Sequence, residues 1–307
     1  MMTSSLDQDA RAILLPAFDS LDFADVLDPF LGKGGCSVLI GETRAEYVAR
    51  NMSQERLAAE TPAVFQAVIE KLKARCPELI VAVDQEMGGI QRLQGLAPDL
   101  PELEDAAGLS DDALADRCFT TAVAARKLGV SMFLAPIADV IDGRNSWLQG
   151  RTMGPDAETV ARLVSAYVKG VQRAGITAVT KHFPGFNNLD ADPALVDVSL
   201  QTTRDHILAN TLPFTAAIAA GTKAVMTGPA PVAAFDATNA ASTSATVIAL
   251  LKEQFGFKGL IVSDDLDSPA TLRGQSLLET AIASLNAGAI SCLSLVVRTL
   301  TPFATLS

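Results

Sequence analysis

The stretch Val179-Thr-Lys-His-Phe-Pro-Gly185 gives the first indication of the fold of this 307-residue chain. Apolar Ala178 and Val179 are typical of the end of a buried strand, and the polar pair Lys181-His182 follows directly before a Pro-Gly turn. A strand that ends in this way presents two polar side chains at the edge of a sheet, where catalytic groups are often found. A surface turn would give the same pattern, so the rest of the chain decides between the two interpretations.

Short apolar segments alternate with longer segments of helical periodicity, which predicts parallel strands joined by helices. The predicted strands span residues 37–40, 79–83, 132–136, 177–180, 224–227, 260–263 and 290–295. The predicted helices span residues 53–75, 111–128, 156–174, 201–220, 244–255 and 277–287. The length suits one α/β barrel of about 250 residues with additions, and no Pro- or Ser-rich linker divides the chain. We therefore predict a single barrel domain over residues 1–307.

An open doubly wound sheet is the alternative architecture for such a pattern. That fold usually carries a G-x-G-x-x-G motif after its first strand, but Gly32-Lys-Gly-Gly35 precedes the first predicted strand here. A plain loop explains this glycine-rich segment better than a phosphate-binding turn does. The pattern therefore favours the barrel.

Composition and charge narrow the class of partner. Hydrophobic residues make up 49% of the chain and charged residues 19%, which is enough apolar material for one large core. The net charge of −11 argues against nucleic acid or an anionic membrane surface as a partner. We expect a small neutral substrate, and the sequence leaves open whether the protein is an oligomer.

Cysteine and histidine usage points to a reducing compartment and to a site without metal. The four cysteines are widely spaced among apolar residues, and no secretory signal is evident, so we expect buried free thiols and a cytoplasmic location. The chain contains only two histidines, His182 and His206, and we expect neither a metal site nor a cofactor. The cysteines are Cys36, Cys76, Cys118 and Cys292.

Polar residues follow the ends of five predicted strands. They are Asp84-Gln85-Glu86, Asp139, Lys181-His182, Thr227-Gly228 and Asp264-Asp265. Charged groups at the mouth of an apolar barrel are costly unless they are solvated, paired or used, and barrel enzymes carry their active sites at this end. The strand ends therefore predict an active site.

The residue types at these strand ends suit the cleavage of a polyhydroxylated ligand. A glycosidase needs one carboxylate that attacks or stabilises the sugar carbon and one acid that protonates the leaving oxygen. Asp264 is the candidate nucleophile, because it directly follows the apolar strand 260–263. A helix N-cap is the alternative role for Asp264 and Asp265.

Six segments together resemble glycoside hydrolase family 3, and most closely its single-domain bacterial β-N-acetylhexosaminidases. These are Asp84-Gln-Glu-Met-Gly-Gly-Ile-Gln-Arg92, Ala135-Pro-Ile-Ala-Asp139, Gly150-Arg151 before Gly154, Lys181-His-Phe-Pro-Gly185, Met226-Thr227 and Phe257-Lys-Gly-Leu-Ile-Val-Ser-Asp-Asp-Leu266. They occur in the family's order over most of the chain, from about residue 37 to residue 288. The resemblance implies a (β/α)8 TIM-like barrel and a retaining mechanism through a covalent glycosyl-enzyme.

The resemblance also implies roles for particular residues. Asp264 matches the family's nucleophile, and five residues match positions that hold the hydroxyls of the sugar. Asp84 would accept hydrogen bonds from the sugar, while the cations would donate and would keep Asp264 ionised. The five sugar-holding positions are Asp84, Arg92, Arg151, Lys181 and His182.

The loop after Gly185 departs from the family. In the hexosaminidases this loop carries a histidine, oriented by an aspartate, that serves as general acid/base, whereas residues 186–193 here contain no histidine. Asp190 falls where the orienting aspartate would be, and Asp192 falls where the histidine would be. Three hypotheses follow: Asp192 or Asp190 is the acid/base, the acid comes from elsewhere in space, or the protein binds sugar with impaired turnover. His206, at the start of a predicted helix, is expected to have a surface role.

Other departures affect the pocket and the C-terminus. Gly228 stands where the family usually has a histidine, and Met87-Gly88-Gly89 replaces a Gly-Gly-Arg run, so we expect altered contacts to the substrate. After the last predicted strand only residues 298–307 follow, with Pro302 among them, which predicts a barrel incomplete at its C-terminus. An unrelated lyase that uses Lys181 as a Schiff-base nucleophile is a weaker alternative.

Overall fold

The computed structural model describes residues 6–289 and 292–294 and contains an eight-stranded parallel sheet with its helices outside. The sheet order is β10-β1-β2-β3-β4-β5-β6-β9. These strands are β1 Leu14–Phe18, β2 Ser37–Ile40, β3 Ile80–Val83, β4 Met132–Phe133, β5 Thr177–Phe183, β6 Ala224–Thr227, β9 Leu260–Val262 and β10 Cys292–Ser294. Neighbouring strands follow one another in chain order, which is the topology of a (β/α)8 barrel and confirms the predicted fold class.

Thirteen α-helices connect or precede these strands within the described residues. They are α1 Leu6–Ala12, α2 Ala24–Leu31, α3 Arg44–Ala49, α4 Gln54–Ala59, α5 Pro62–Lys73, α6 Leu103–Gly108, α7 Asp111–Lys127, α8 Ala157–Arg173, α9 Arg204–Ala209, α10 Leu212–Ala219, α11 Ala245–Ala249, α12 Pro269–Leu272 and α13 Leu277–Ala287. A π-helical segment, Leu250–Gln254, continues α11, and an antiparallel hairpin of β7 Pro231–Val232 and β8 Asp236–Ala240 follows β6.

The core has two layers that reflect the alternation of side chains along each strand. Residues such as Ala224 and Met226 belong to a small cluster made of strand side chains, which fills the barrel interior. Val225, which lies between them in β6, belongs instead to the large cluster between the sheet and the helices. The sheet is therefore buried on both faces, as expected for parallel strands covered by helices.

Prolines account for the main differences between the predicted and the observed elements. Strand β1 was not predicted, because Pro16 interrupts its apolar pattern and lacks an N–H for the ladder. The predicted helix 53–75 is wrong as one element, since Pro62 begins a new helix that Thr61 caps. The predicted helix 201–220 is likewise two helices, and Pro213 lies in the first turn of the second.

The cysteines differ in burial. Cys118 is buried, but Cys36 and Cys76 are only half-buried, so the expectation of burial was wrong for these two free thiols.

Three further predictions are not decided by the described residues. The predicted incompleteness of the C-terminus falls on residues outside the described part, and the single domain over residues 1–307 and the cytoplasmic location stay predictions. Among the described residues, no helix has the length and apolar character needed to span a bilayer.

Gly170 allows α7 and α8 to pack closely. A Cβ atom at residue 170 would lie 2.2 Å from the carbonyl oxygen of Ala115 and 2.9 Å from the Cβ of Cys118. The obstructing oxygen is backbone, so it cannot move aside without shifting the helix. The glycine is therefore a packing requirement of the helical layer.

We predict that Gly170→Ala destabilises the fold by about 1–3 kcal/mol relative to Gly108→Ala, because the added methyl overpacks the α7/α8 contact. Gly108, at the end of α6, is the matched control, since nothing lies within 4 Å of the position that a Cβ atom would take there. Urea unfolding of the two variants gives the comparison. Equal stability of the two would contradict the proposed packing constraint.

Candidate active site

A cavity opens at the C-terminal ends of the strands, where the sequence predicts the site. Asp84 follows β3, Lys181 and His182 lie in β5, Asp264 follows β9, and Arg151 enters from the loop before α8; all five line the cavity. Its volume is about 180 Å³, below the range of about 300–1,000 Å³ that drug-sized ligands occupy. The cavity therefore suits a ligand smaller than a typical drug molecule.

Glu86 is the fully buried centre of the charge network beneath this cavity. Its Oε1 lies 2.7 Å from Lys181 Nζ and 2.7 Å from Arg151 Nη2, and Arg151 Nε donates to its Oε2 at 3.1 Å. Lys181 Nζ also lies 2.8 Å from Asp84 Oδ1. Arg151 Nη1 donates to the hydroxyl of Tyr47 at 2.6 Å. One buried carboxylate thus fixes two cations at the cavity floor.

The network determines the charge state of its members. Burial acts to raise the pKa of Glu86, but Arg151 and Lys181 outweigh burial and hold that pKa below its usual value. Burial acts to lower the pKa of Lys181, but Asp84 and Glu86 raise it above its usual value. A lysine held charged in this way is a poor Schiff-base nucleophile, because the neutral amine is the reactive form. This geometry argues against the lyase hypothesis.

His182 is oriented by a fully buried aspartate. Asp139 Oδ2 lies 2.8 Å from His182 Nδ1 and accepts the His182 backbone N–H at 2.9 Å, while Oδ1 accepts the Phe186 N–H at 2.7 Å. The Trp147 ring packs on the imidazole with 4.6 Å between ring centroids. His182 Nε2 then faces Asp264, with 3.8 Å to Oδ2. The imidazole is fixed on both its polar and its apolar sides.

Within the described structure, one oxygen of Asp264 is hydrogen-bonded, and the other has only the longer contact to His182. Oδ1 accepts the backbone N–H of Asp265 at 2.8 Å, while Oδ2 is buried without a hydrogen-bond partner. Burial raises the pKa of Asp264, and the opposing effects of His182 and Lys181 do not cancel it. His182 and Lys181 act in the direction expected of the cations, and burial acts against them. The ionised state of Asp264 at neutral pH stays a prediction.

Asp265 also lines the cavity and is better suited than Asp264 to carry a proton. Its Oδ1 is buried and has no hydrogen-bond partner in the described part of the chain. Burial, followed by the charge of Asp264, raises the pKa of Asp265 well above its usual range. Two neighbouring carboxyls cannot both ionise easily in such a place, so one of them retains a proton.

Glu42 is a cavity residue that was not among the predicted site residues. It follows β2 just as Asp84 follows β3, and its Oε2 is buried without a hydrogen-bond partner among residues 6–289. Burial, together with the nearby Asp84, raises the pKa of Glu42 to about 8. The strand-end rule could have identified it, because Gly41-Glu42 directly follows a correctly predicted strand.

Arg92 does not line the cavity, although the resemblance places it among the sugar-holding residues. Its Nη2 pairs with Glu60 at 2.6 Å and its Nε donates to the carbonyl oxygen of Gly41 at 2.6 Å. The guanidinium also lies over the Phe65 ring, 5.7 Å from its centroid. Arg92 therefore supports the backbone next to Glu42 from behind the cavity wall.

Asp190 and Asp192 also lie outside the cavity lining. Asp190 is exposed, whereas Asp192 Oδ2 pairs with Arg44 at 2.7 Å and its Oδ1 accepts the N–H of Ala194 at 2.9 Å. Both carboxylate oxygens of Asp192 are therefore engaged by neighbouring protein groups. Their roles as acid/base stay predictions, and the geometry supplies no support for either.

The loop of residues 186–193, which differs from the family pattern, is anchored to the loop after β4. Asn145 Nδ2 donates to the carbonyl oxygen of Phe186 at 2.6 Å, and the Leu189 N–H donates to Arg144 O at 2.7 Å. A Cβ atom at Gly228 would lie 2.0 Å from the Phe186 ring. Phe186 thus occupies the space beside residue 228, and the two departures from the family pattern are one packing change.

His206 lies outside the cavity, as expected for a surface role. Its Nε2 lies 2.6 Å from Asp142 Oδ2, and its side chain is about half exposed. Asp142 in turn accepts a hydrogen bond from Asn187 Nδ2 at 2.7 Å. His206 therefore contacts the loop after β4, through Asp142, and not the cavity.

Comparison with known proteins gives a consistent family assignment. The family model described as "Glycosyl hydrolase family 3 N terminal domain" matches residues 27–301. A beta-hexosaminidase of Methylococcus capsulatus is 30% identical over 235 residues, which cover 74% of this chain and 70% of the relative. The match agrees with the resemblance found in the motifs.

Two solved structures share the fold. A glycoside hydrolase family 3 beta-N-acetylglucosaminidase from Paenibacillus sp. superposes with a TM-score of 0.83 at 26% identity, covering 94% of this chain. This chain spans only 55% of that longer protein. A beta-N-acetylhexosaminidase from Beutenbergia cavernae gives a TM-score of 0.82 at 28% identity, covering 95% of this chain and 87% of the other.

We predict that Glu86→Gln lowers the free energy of unfolding by about 3–5 kcal/mol at neutral pH, because two buried cations lose their shared counter-charge. The folded-state pKa of Glu86 is depressed, so its contribution is present above the unfolded pKa of about 4.3 and is lost as pH falls below it. The stability difference between wild type and variant should shrink on acidification. Chemical unfolding at several pH values measures it, and a difference independent of pH would contradict the assignment.

Proposed function

The chain belongs to glycosyl hydrolase family 3, and from this premise we propose that it is a retaining β-N-acetylhexosaminidase with Asp264 as nucleophile. The names of its relatives support the substrate class. The observation that carries the proposal is the free Asp264 Oδ2, buried at the edge of a cavity whose cations are already paired with other carboxylates. A carboxylate oxygen that accepts no hydrogen bond from the protein in such a place is available to attack a sugar carbon.

In the first step Asp264 Oδ2 attacks the anomeric carbon and forms a glycosyl ester. The bond from that carbon to the glycosidic oxygen breaks, the oxygen keeps the electron pair, and a general acid gives it a proton. In the second step the same group, now a base, takes a proton from water as the water attacks the anomeric carbon. Asp264 leaves as the carboxylate and the sugar is released with its original anomeric configuration.

We propose Asp265 as the general acid/base. It lines the cavity beside Asp264, and burial together with the charge of Asp264 raises its pKa well above the usual range, which favours the protonated carboxyl that an acid needs. Two carboxyls whose pKa values are pushed apart are the usual acid and nucleophile of a glycosidase. Asp192 is the weaker candidate, because it lies outside the cavity lining and its carboxylate is paired with Arg44. This assignment corresponds to the hypothesis that the acid comes from outside the loop of residues 186–193.

We propose that four cavity residues hold the sugar directly. Asp84 accepts from hydroxyls, and Lys181, Arg151 and His182 contribute donors fixed by Glu86 and Asp139. Donors held in place by buried partners need no reorganisation when the sugar binds, which favours the transition state. Arg92, behind the wall, positions the backbone and does not contact the sugar in this proposal.

A sugar-binding homologue with impaired turnover is the second candidate function. It is favoured by the anchored loop, which contains no histidine in residues 186–193 and whose Asp192 is ion-paired. Such a protein would bind the sugar through the same cavity residues. The two functions differ in whether ordinary disaccharides with poor leaving groups are hydrolysed.

We predict that Asp264→Asn lowers kcat/KM for a nitrophenyl N-acetylglucosaminide by about 10³-fold or more, because the amide cannot form the glycosyl ester. Asp205→Asn, an exposed substitution at the start of α9, is the matched control and should leave activity unchanged. Undiminished turnover of the Asp264 variant would remove this residue from its proposed role.

We predict that Asp265→Asn lowers kcat/KM by about 10²–10⁴-fold on disaccharides and by much less on nitrophenyl glycosides, whose leaving groups need no proton. Azide should accelerate the Asp265→Ala variant by taking the place of the activated water. Asp192→Asn and Asp190→Asn, assayed with the same substrates, test the alternative assignment. The leaving-group dependence appearing in Asp192→Asn and not in Asp265→Asn would reverse the assignment.

A further inference from the structure

Glu42 occupies the cavity wall on the side of Asp84. Both residues follow neighbouring parallel strands, β2 and β3, so their side chains reach the same edge of the barrel. Asp84 has Lys181 as its partner at 2.8 Å. Glu42 differs, because its Oε2 is buried and none of the described residues hydrogen-bonds to it.

The backbone on both sides of Glu42 is held in place. The Gly41 N–H donates to Phe18 O at 2.7 Å, and the Gly41 carbonyl accepts from Arg92 Nε at 2.6 Å. On the other side Thr43 caps α3 in a capping box with Glu46. A side chain between two such fixed residues is presented to the cavity in a defined position, which is a requirement of a binding group.

Structural roles do not account for a carboxyl at this position. The neighbouring cations are committed elsewhere, since Lys181 pairs with Asp84 and Glu86, and Arg92 pairs with Glu60. A buried polar oxygen without a protein partner costs free energy that a group bound in the cavity can recover. The position therefore suits ligand binding better than packing.

We propose that Glu42 is a further substrate-contacting group, which donates a hydrogen bond to an uncharged oxygen of the sugar next to the hydroxyl held by Asp84 and Lys181. This inference rests on the proposed function of the cavity and extends it by one residue. No covalent step is involved. Glu42 thereby contributes to the choice of sugar and not to bond cleavage.

The electrostatic surroundings explain why Glu42 is the donor and Asp84 the acceptor. Burial and the charge of Asp84 raise the pKa of Glu42 to about 8, so the carboxyl is neutral below that pH and carries a proton to donate. Asp84, paired with Lys181, has an oxygen to accept with. The charged groups that act on Glu42 are Asp84, Arg92, Glu86 and Lys181, and the other titratable groups lining the cavity are Arg44, Tyr47, Arg151, His182, Asp264 and Asp265.

Calorimetric titration with N-acetylglucosamine tests the inference without requiring turnover. Below pH 8, Glu42→Gln should bind the sugar within about twofold of wild type, because the amide also donates, while Glu42→Ala should bind about tenfold more weakly. Above pH 8, wild type should weaken towards the Ala variant, whereas Glu42→Gln should not follow. Hydrolysis of a nitrophenyl glycoside by the same variants should show the loss in KM and not in kcat.

Three outcomes would overturn the inference. One is unchanged binding by Glu42→Ala, and another is the absence of sugar binding by wild type. The third is that wild type binds glucosamine more tightly than N-acetylglucosamine and that Glu42→Gln loses this preference. Such a result would mean that Glu42 is ionised and pairs with the ammonium group of glucosamine. Failure of the proposed function has a different signature, since sugar binding would depend on Glu42 in a protein that hydrolyses no glycoside.

Discussion

The ion pairing of the buried Glu86 carboxylate with Lys181 and Arg151 is the interaction on which the site depends. An ion in the core must be paired, and this one is neutralised by Lys181 and Arg151, which enter from different loops and strands of the barrel. The two cations of the cavity floor are thus neutralised by Glu86 and Asp84, and not by the carboxyls of the cavity wall. The carboxyls at the cavity wall, Asp264 and Asp265, are left without a full counter-charge, which is why burial raises the pKa values of both. The same arrangement that stabilises the floor thus supplies a proton and a free carboxylate oxygen above it.

The packing of the loop after β5 fills the space beside Gly228, where a larger side chain is usual in the family. Phe186 packs where a side chain at residue 228 would lie, and the glycine there is required by that ring. Hydrogen bonds from Asn145 and to Arg144 fasten the loop to its neighbour. A loop held in this way presents no acid to the cavity, so in our proposal acid catalysis moves to the strand end that already carries the nucleophile. In our proposal, one substituted loop accounts both for the packing change and for a different proton donor.

Much of the architecture follows from the sequence, because parallel strands place their C-terminal residues at a common edge whatever the details of packing. That rule brought together four of the predicted site residues: Asp84, Lys181, His182 and Asp264. It could not place Arg92, because its ion partner Glu60 lies in a distant segment of the chain and the pairing depends on tertiary contacts. Strand β1 escaped prediction because Pro16 breaks the local pattern, while pairing with its neighbours supplies the order. Glu42 was visible as a strand-end residue, but its protonation depends on burial, which local sequence does not reveal.

The covalent bond between Asp264 and the sugar is the step on which the proposed mechanism depends. The most direct measurement is mass spectrometry of the protein after reaction with a fluorinated N-acetylglucosaminyl fluoride, which forms the glycosyl ester rapidly and hydrolyses it slowly. We predict one added sugar per chain, located by peptide mapping on the segment that contains Asp264, and no adduct in the Asp264→Asn variant. An adduct on another residue, or rapid turnover of the reagent with no adduct at all, would contradict it.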